Sequence, residues 1–163
     1  MTTTDEFVAA NAAYADSFDQ GGLPMPPGRK VAVVACMDAR LDVYRALGLG
    51  LGESHVIRNA GGVVTDDALR SLVISQRLLG TEEIVLVHHT DCGMLTFQDD
   101  PVKAQIEADT GLRPPFALEA FGDLHADVAQ SIRRVRNCPY LLHPNVRGFV
   151  YDVNTGRLDE VSA

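Results

Sequence analysis

Cys36, His89 and Cys92 are residues of the types that bind soft divalent metals. Only two residues separate His89 from Cys92, a spacing that lets both side chains reach one ion from a tight turn. Cys36 is remote in sequence, but it ends an apolar run that we expect to form a neighbouring strand. Two thiolates and one imidazole suit tetrahedral zinc. Because three protein ligands leave a fourth position open, the pattern favours a catalytic over a structural zinc site.

Other interpretations of these cysteines are possible from the residue types. Cys36 and Cys92 do not form a Cys-x-x-Cys redox pair, and the interval from Cys36 to Arg40 is too short for the phosphate-binding loop of cysteine phosphatases. A nucleophilic Cys36 with His89 as its base stays open, although it would leave Cys92 without a role. Buried Cys and His residues are also common as inert core groups.

Asp38 and Arg40 follow Cys36 at intervals of two. An extended backbone would direct all three side chains the same way. The Arg40 guanidinium can hold the Asp38 carboxylate through two hydrogen bonds and keep it ionised. Beside a metal with an open position, that carboxylate can accept a proton from the reactant, or move onto the metal as a conditional fourth ligand. The alternative is a solvated surface ion pair, worth about 0–1 kcal/mol.

These residues follow apolar runs that alternate with helical patterns, which predicts an α/β fold with a mainly parallel central sheet flanked by helices. The predicted strands are Val31–Cys36, 55–60, Glu83–His89 and 147–153 with a short final strand, and helices are expected at 65–79 and over much of 101–137, with a break at Pro114-Pro115. In open parallel sheets, sites form beyond the carboxyl ends of the strands. If the first strand is central, its end, the Asn59–Gly62 segment and His89 converge there.

The first 28 residues predict an N-terminal helix arm and a Gly/Pro connector, followed by an α/β body over 29–163 in a single domain. Phe7, Ala10, Tyr14 and Phe18 recur at helical spacing, and Thr-Asp-Glu is a typical helix start. A lone helix cannot bury this stripe. It must dock on the body or on a second subunit.

Composition limits the function classes. The chain has 163 residues and a formal net charge of -8, which argues against nucleic-acid binding because phosphate neutralisation requires clustered Lys and Arg. No apolar run is long enough for a membrane span, and the N-terminal residues lack the layout of a signal peptide. We therefore expect a cytoplasmic protein, in which cysteines are thiols or metal ligands.

The ordered motifs resemble those of the β-class carbonic anhydrases across almost the whole chain, and most closely the short bacterial type. The motifs are Cys36-Met-Asp38-Ala-Arg40, Arg58-Asn-Ala-Gly61 and His89-Thr-Asp-Cys92-Gly93. The resemblance implies that Cys36, His89 and Cys92 bind zinc, that Asp38 and Arg40 form a catalytic dyad, and that Asp38 can become a fourth zinc ligand. It also implies a homodimer or dimer of dimers whose N-terminal helix packs on the partner subunit.

The activity implied by the resemblance is the reversible hydration of carbon dioxide to bicarbonate and a proton by zinc-bound hydroxide. Carbon dioxide is small and apolar, so we expect a narrow slot lined by Asn59, Gly61, Val63, Val64 and a partner subunit. Carbonyl sulfide hydrolysis at the same zinc site is an alternative that the metal motifs do not distinguish. A non-catalytic, zinc-stabilised binding module is a further alternative.

Overall fold

A computed structural model describes residues 2–163, which form a five-stranded sheet in the order β2-β1-β3-β4-β5. The strands are β1 (Val31–Cys36), β2 (Ser54–Asn59), β3 (Glu83–His89), β4 (Val146–Tyr151) and β5 (Leu158–Val161). Strands β1 to β4 are parallel to one another, and β5 is antiparallel to β4. The predicted α/β class and mainly parallel sheet are confirmed, and β1 is an interior strand between β2 and β3.

Several helices contribute residues to buried clusters on both faces of this sheet. The helices of the chain are α1 (Thr3–Asp16), α2 (Val43–Leu47), α3 (Asp66–Leu79), α4 (Asp99–Thr110) and α5 (Leu124–Arg136). In the described residues 2–163, no helix combines the length and apolar character that crossing a membrane would require.

The core consists of two clusters, because β1 is buried on both faces and its successive side chains point in opposite directions. Ala32 and Val34 belong to the cluster that also contains Leu72 of α3 and Ile132 of α5. The other cluster contains Val33 and Ala35 of β1 together with residues from the loops that follow the strands. Cys36 and Cys92 lie in this second cluster, so these two candidate ligands are part of the apolar interior.

Local sequence signals explain where α3 begins and ends. The Thr65 side chain accepts a hydrogen bond from the backbone N–H of Ala68 at 3.2 Å, as an N-cap residue should. Gly80 follows with a φ of 73°, a left-handed conformation that glycine adopts without steric cost. The predicted helix over 65–79 is therefore present almost to the residue.

The segment 101–137 is less helical than its sequence predicts. Gly111 ends α4 in the left-handed conformation, and the chain stays irregular until α5 begins at Leu124. The break is wider than Pro114-Pro115 alone requires. Its path depends on Asp99, whose carboxylate accepts hydrogen bonds from the backbone N–H groups of residues 118–120.

Helix α1 forms where the sequence predicts an N-terminal helix. Thr2 caps it through a reciprocal hydrogen-bond pair with Asp5. No residue of α1 is buried, and the side chains of Phe7 and Tyr14 are 67% and 55% exposed. The stripe therefore has no cover within the described part of this chain, and its packing on a partner subunit stays a prediction.

Candidate metal centre

Cys36, His89 and Cys92 meet at the carboxyl edge of the sheet. One ligand atom from each residue lies within 4.8 Å of the others. Cys36 and His89 are the last residues of the adjacent strands β1 and β3, and Cys92 follows in the turn after β3. The three residues are 4%, 0% and 3% exposed, respectively. Parallel strand pairing thus brings together side chains that are more than fifty residues apart in sequence.

The turn after β3 fixes the orientation of the His89 ring. His89 Nδ1 lies 2.8 Å from the carbonyl oxygen of Thr90, so Nδ1 carries the proton that it donates there. Thr90 is held by β4, since its backbone N–H donates to the Tyr151 carbonyl at 2.9 Å. Among the described residues, His89 Nε2 is buried without a hydrogen-bond partner. An unprotonated imidazole nitrogen in that setting is a ready metal ligand.

The two thiols differ in acidity because they contact each other. A hydrogen bond from Cys92 lowers the pKa of Cys36 to about 4, against the opposing effect of burial. The same contact raises the pKa of Cys92, since ionising a second thiol would place two negative charges side by side. Burial lowers the pKa of His89, but its contacts with Cys36 and the Thr90 carbonyl raise it by more.

This donor set fits zinc. A divalent cation removes the conflict between the thiols, because it stabilises both as thiolates and accepts the free imidazole nitrogen as a neutral ligand. Two sulfur donors and one nitrogen donor are typical of zinc rather than of calcium or magnesium, which prefer oxygen.

Asp38 and Arg40 form a two-pronged ion pair beside the three ligands. Arg40 Nε donates to Asp38 Oδ1 at 3.0 Å, and Arg40 Nη2 donates to Oδ2 at 2.8 Å. These bonds, with another from the Arg40 backbone N–H, hold the pKa of Asp38 well below its usual range. Asp38 Oδ2 is 3.6 Å from His89 Nε2, so the carboxylate borders the ligand cluster while Arg40 binds it.

Two further residues hold this pair, and residue types alone did not identify them. Arg58 of β2 donates from Nε and Nη2 to the Cys36 carbonyl at 2.9 and 2.8 Å, and from Nη2 to the Asp38 carbonyl at 2.7 Å. Asp91 accepts from Arg40 Nη1 at 2.7 Å. The sequence signal for Asp91 is its position between His89 and Cys92.

The four residues expected to line a substrate slot occupy different surroundings. Asn59 donates from Nδ2 to the carbonyl of Val63 at 2.8 Å, which closes the turn that contains Gly61. Val63 is buried in the same cluster as Cys36. Val64 instead packs in the cluster on the other face of the sheet, among residues of α3 and α5.

Met94 and Phe121 pack with Val63, and these three residues form an apolar wall. Both belong to the buried cluster that contains the cysteines. They cover Gly61 so closely that a Cβ atom there would lie 3.0 Å from Met94 Cγ and 3.1 Å from Phe121 Cε1. Phe121 comes from the irregular segment after α4, which sequence patterns do not connect to the site.

Gly62 lies between the ends of β1 and β3. Its φ is +70°, and a Cβ atom would lie 2.8 Å from Cys36 N and 2.9 Å from Val87 O. These are backbone atoms of the two strands that carry Cys36 and His89. The absence of a side chain at Gly62 therefore allows the turn after β2 to approach the ends of the strands that carry Cys36 and His89.

Comparisons with known proteins agree with this geometry. The family model described as carbonic anhydrase matches residues 31–115. Beta-carbonic anhydrase 1 of Mycobacterium tuberculosis is 60% identical over 163 residues, which cover 99% of each chain. Carbon disulfide hydrolase of Acidithiobacillus thiooxidans is 39% identical over 156 residues, covering 82% of this chain and 78% of that protein.

A solved structure also resembles the whole fold. The crystal structure of carbonic anhydrase from Streptococcus mutans matches with a TM-score of 0.92 and 44% sequence identity, and the match covers 99% of both chains. The similarity therefore extends from the sequence to the arrangement of strands that brings the cysteines and the histidine together. This chain belongs to the β-carbonic anhydrase family.

Proposed function

We propose that this protein is a zinc enzyme that converts carbon dioxide and water reversibly to bicarbonate and a proton. The observation that carries the proposal is the placement of the Asp38–Arg40 pair directly beside a buried Cys-His-Cys cluster. Three ligands leave one position of a tetrahedral ion for a reactant. Membership of the β-carbonic anhydrase family supports the same activity.

Cys36, His89 and Cys92 would hold the ion, and zinc would supply the Lewis acidity that makes water a nucleophile near neutral pH. Asp38 can accept a hydrogen bond from the reacting water and thereby orient it, because its carboxylate is ionised and borders His89 Nε2. Arg40 keeps that carboxylate in one orientation through two hydrogen bonds.

The apolar wall has a separate role in this proposal. Val63, Met94 and Phe121 are buried with the metal-binding cysteines. Carbon dioxide has no net charge and little polarity, so an apolar surface can accommodate it while limiting the number of competing water molecules. The wall would place the substrate, and Asp38 would orient the nucleophile.

Metal analysis combined with a carbon dioxide hydration assay tests the proposal. Wild-type protein should bind one zinc ion per site and accelerate hydration, whereas Cys36→Ser and Cys92→Ser should lose both metal and activity. Asp38→Asn should keep its metal, but its kcat should be lower than that of wild type by a factor of roughly 10²–10⁴, the range typical of a lost acid–base group. Cys138→Ser is the control, because Cys138 is a half-buried thiol outside the cluster. A metal-replete wild-type protein without hydration activity would overturn the proposal.

A second candidate activity is the hydrolysis of carbon disulfide or carbonyl sulfide. The relative named carbon disulfide hydrolase favours it, since that protein is 39% identical to this chain. Both compounds are linear molecules with an electrophilic central carbon, as carbon dioxide is. Hydration of carbon dioxide and release of sulfide, measured on the same zinc-loaded preparation, separate the two activities. Sulfide release at a higher kcat/KM than hydration would favour this second candidate.

We also propose that the protein is a homodimer or a dimer of dimers in which α1 packs on a second copy. The exposed aromatic side chains of Phe7 and Tyr14 support this, because no residue of α1 is buried by the described part of its own chain. Sedimentation of wild type should show at least a dimer, and the double substitution Phe7→Ser with Tyr14→Ser should weaken it. Ala12→Ser, on the opposite side of α1, is the control. A wild-type monomer would contradict the proposal.

A further inference from the structure

The Arg40 guanidinium is held from two directions. An arginine side chain has five N–H donors, and four hydrogen bonds from Arg40 reach two residues. Two bonds hold the Asp38 carboxylate. The other two hold Asp91, with Nη1 donating to its Oδ2 at 2.7 Å and Nη2 donating to its backbone carbonyl at 2.9 Å.

Asp91 can use both its side chain and its carbonyl because of its backbone conformation. Its φ is 53°, in the left-handed region that Asp tolerates better than most non-glycine residues. Asp91 lies in the turn that connects His89 with Cys92. The shape of the metal-binding turn is thereby coupled to the position of a side chain from the loop after β1.

We propose that Asp91 is a positioning residue that holds Arg40 in the orientation required to fix the Asp38 carboxylate. The inference rests on the proposed function, in which Asp38 orients the nucleophile. Arg58 fixes the Asp38 backbone through the Asp38 carbonyl, but it does not touch the carboxylate. Within residues 2–163, every hydrogen bond to the carboxylate comes from Arg40, through its backbone N–H, Nε and Nη2. Asp91 holds the guanidinium at Nη1, which does not contact Asp38, and at Nη2, which it shares with Asp38.

An ordinary surface ion pair would have no such effect. The Asp91 side chain is 78% exposed, and exposed pairs contribute about 0–1 kcal/mol to folding. Asp67 provides a comparison, because its side chain is 74% exposed and pairs with Arg70 at 2.8 Å, on α3. The Asp91 contact differs in that its arginine is simultaneously engaged with Asp38. Its removal should therefore affect turnover far more than stability.

Two substitutions separate the contributions of Asp91. Asp91→Gly keeps the backbone carbonyl and accepts positive φ, but it removes the carboxylate. We expect kcat to fall about tenfold, the lower end for loss of an outer partner of a metal site, with KM and zinc content unchanged. Asp91→Asn keeps an oxygen acceptor and should recover most of the turnover. Asp67→Asn is the matched control and should behave as wild type.

A double-mutant cycle tests whether Asp91 acts through Arg40. In an Arg40→Lys background, Asp91→Gly should cause little further loss, because the fork that Asp91 holds is gone. An undiminished loss in that background, wild-type kcat in Asp91→Gly, or a fall in activity that only follows zinc loss would each overturn the proposal.

The NMR signal of the Arg40 Nε–H gives a readout that does not require activity. This proton is donated to Asp38 Oδ1, so it should exchange slowly with water in wild type and at least about tenfold faster in Asp91→Gly. If the zinc-loaded wild type fails to hydrate carbon dioxide, the proposed function falls, and this exchange rate alone decides whether Asp91 positions Arg40. Equal exchange rates in the two proteins would refute the inference.

Discussion

Replacing Gly62 with alanine should disrupt the metal centre through the backbone. The residue has a φ of +70°, and the new Cβ would lie 2.8 Å from Cys36 N and 2.9 Å from Val87 O. A left-handed conformation costs a non-glycine residue about 1–2 kcal/mol, and forcing an extra carbon into a packed interior costs about 1–3 kcal/mol. The two effects together predict a loss of about 2–5 kcal/mol of stability.

The structure also predicts where the damage occurs. The atoms that the new methyl group meets are backbone atoms of β1 and β3, which cannot rotate away as a side chain can. Relief requires β1 and β3 to separate or the turn after β2 to withdraw. Separation of the strands changes the distance between Cys36 and the other two residues of the cluster, so Gly62→Ala should bind zinc more weakly as well as unfold more easily.

Gly80→Ala is a matched control for the strain alone. Gly80 has a φ of +73°, but a Cβ atom there would meet nothing within 4 Å. It should cost only the left-handed conformation, about 1–2 kcal/mol, and leave zinc binding unchanged. Urea unfolding of both variants, with zinc affinity measured by competition with a chelator, gives the comparison. Equal losses of stability with intact zinc binding in both variants would refute the reasoning.

Two buried or shielded carboxylates give further predictions. Backbone hydrogen bonds, first from Ala120, lower the pKa of Asp99, so the unfolded chain binds the proton more tightly and stability falls as the pH drops below about 4. Asp99→Asn should be less stable than wild type near neutral pH, and its stability should fall less when the pH is lowered. Urea unfolding measures both effects, and an equal fall in stability on acidification in the two proteins would contradict the prediction. Asp127→Ala leaves His88 Nε2 without its 2.7 Å acceptor and should cost about 1–3 kcal/mol. Gln130→Ala keeps the bond between His88 and Asp127. A loss of stability in Gln130→Ala as large as that in Asp127→Ala would therefore contradict the importance of this bond.

The strands that carry the candidate metal ligands were predictable because burial on both sheet faces leaves a simple pattern. Val31–Cys36 is a continuous apolar run that ends in Cys, and Glu83–His89 contains the apolar run 84–87 and ends in His. The structure gives both strands those bounds. A helix between successive parallel strands accounts for the mainly parallel sheet. The same logic predicted α3, where a Thr cap and a terminal glycine coincide with its ends.

The segment between α4 and α5 was not predictable from local patterns. The residues that signal an interruption are its glycines and prolines, Gly111, Pro114, Pro115 and Gly122. The Asp99 carboxylate holds the chain in its irregular path, and it lies 19 to 21 residues before the backbone N–H groups that it binds. Phe121 therefore takes its place in the apolar wall because of the hydrogen bonds to Asp99, which the periodicity of the sequence does not indicate.

The candidate metal ligands and the Asp38–Arg40 pair differ in how they are positioned, and this difference has a functional consequence. Cys36 and His89 are placed by strand pairing, since their positions follow from the register of β1 and β3. The orientation of Asp38 instead depends on side-chain hydrogen bonds between loops, through Arg40 and Asp91. Strand pairing is cooperative with the core, whereas a hydrogen-bonded side chain in a loop can be lost locally. Substitutions of Arg40 and Asp91 should therefore reduce turnover before they release the metal, and substitutions that separate β1 from β3 should do both together.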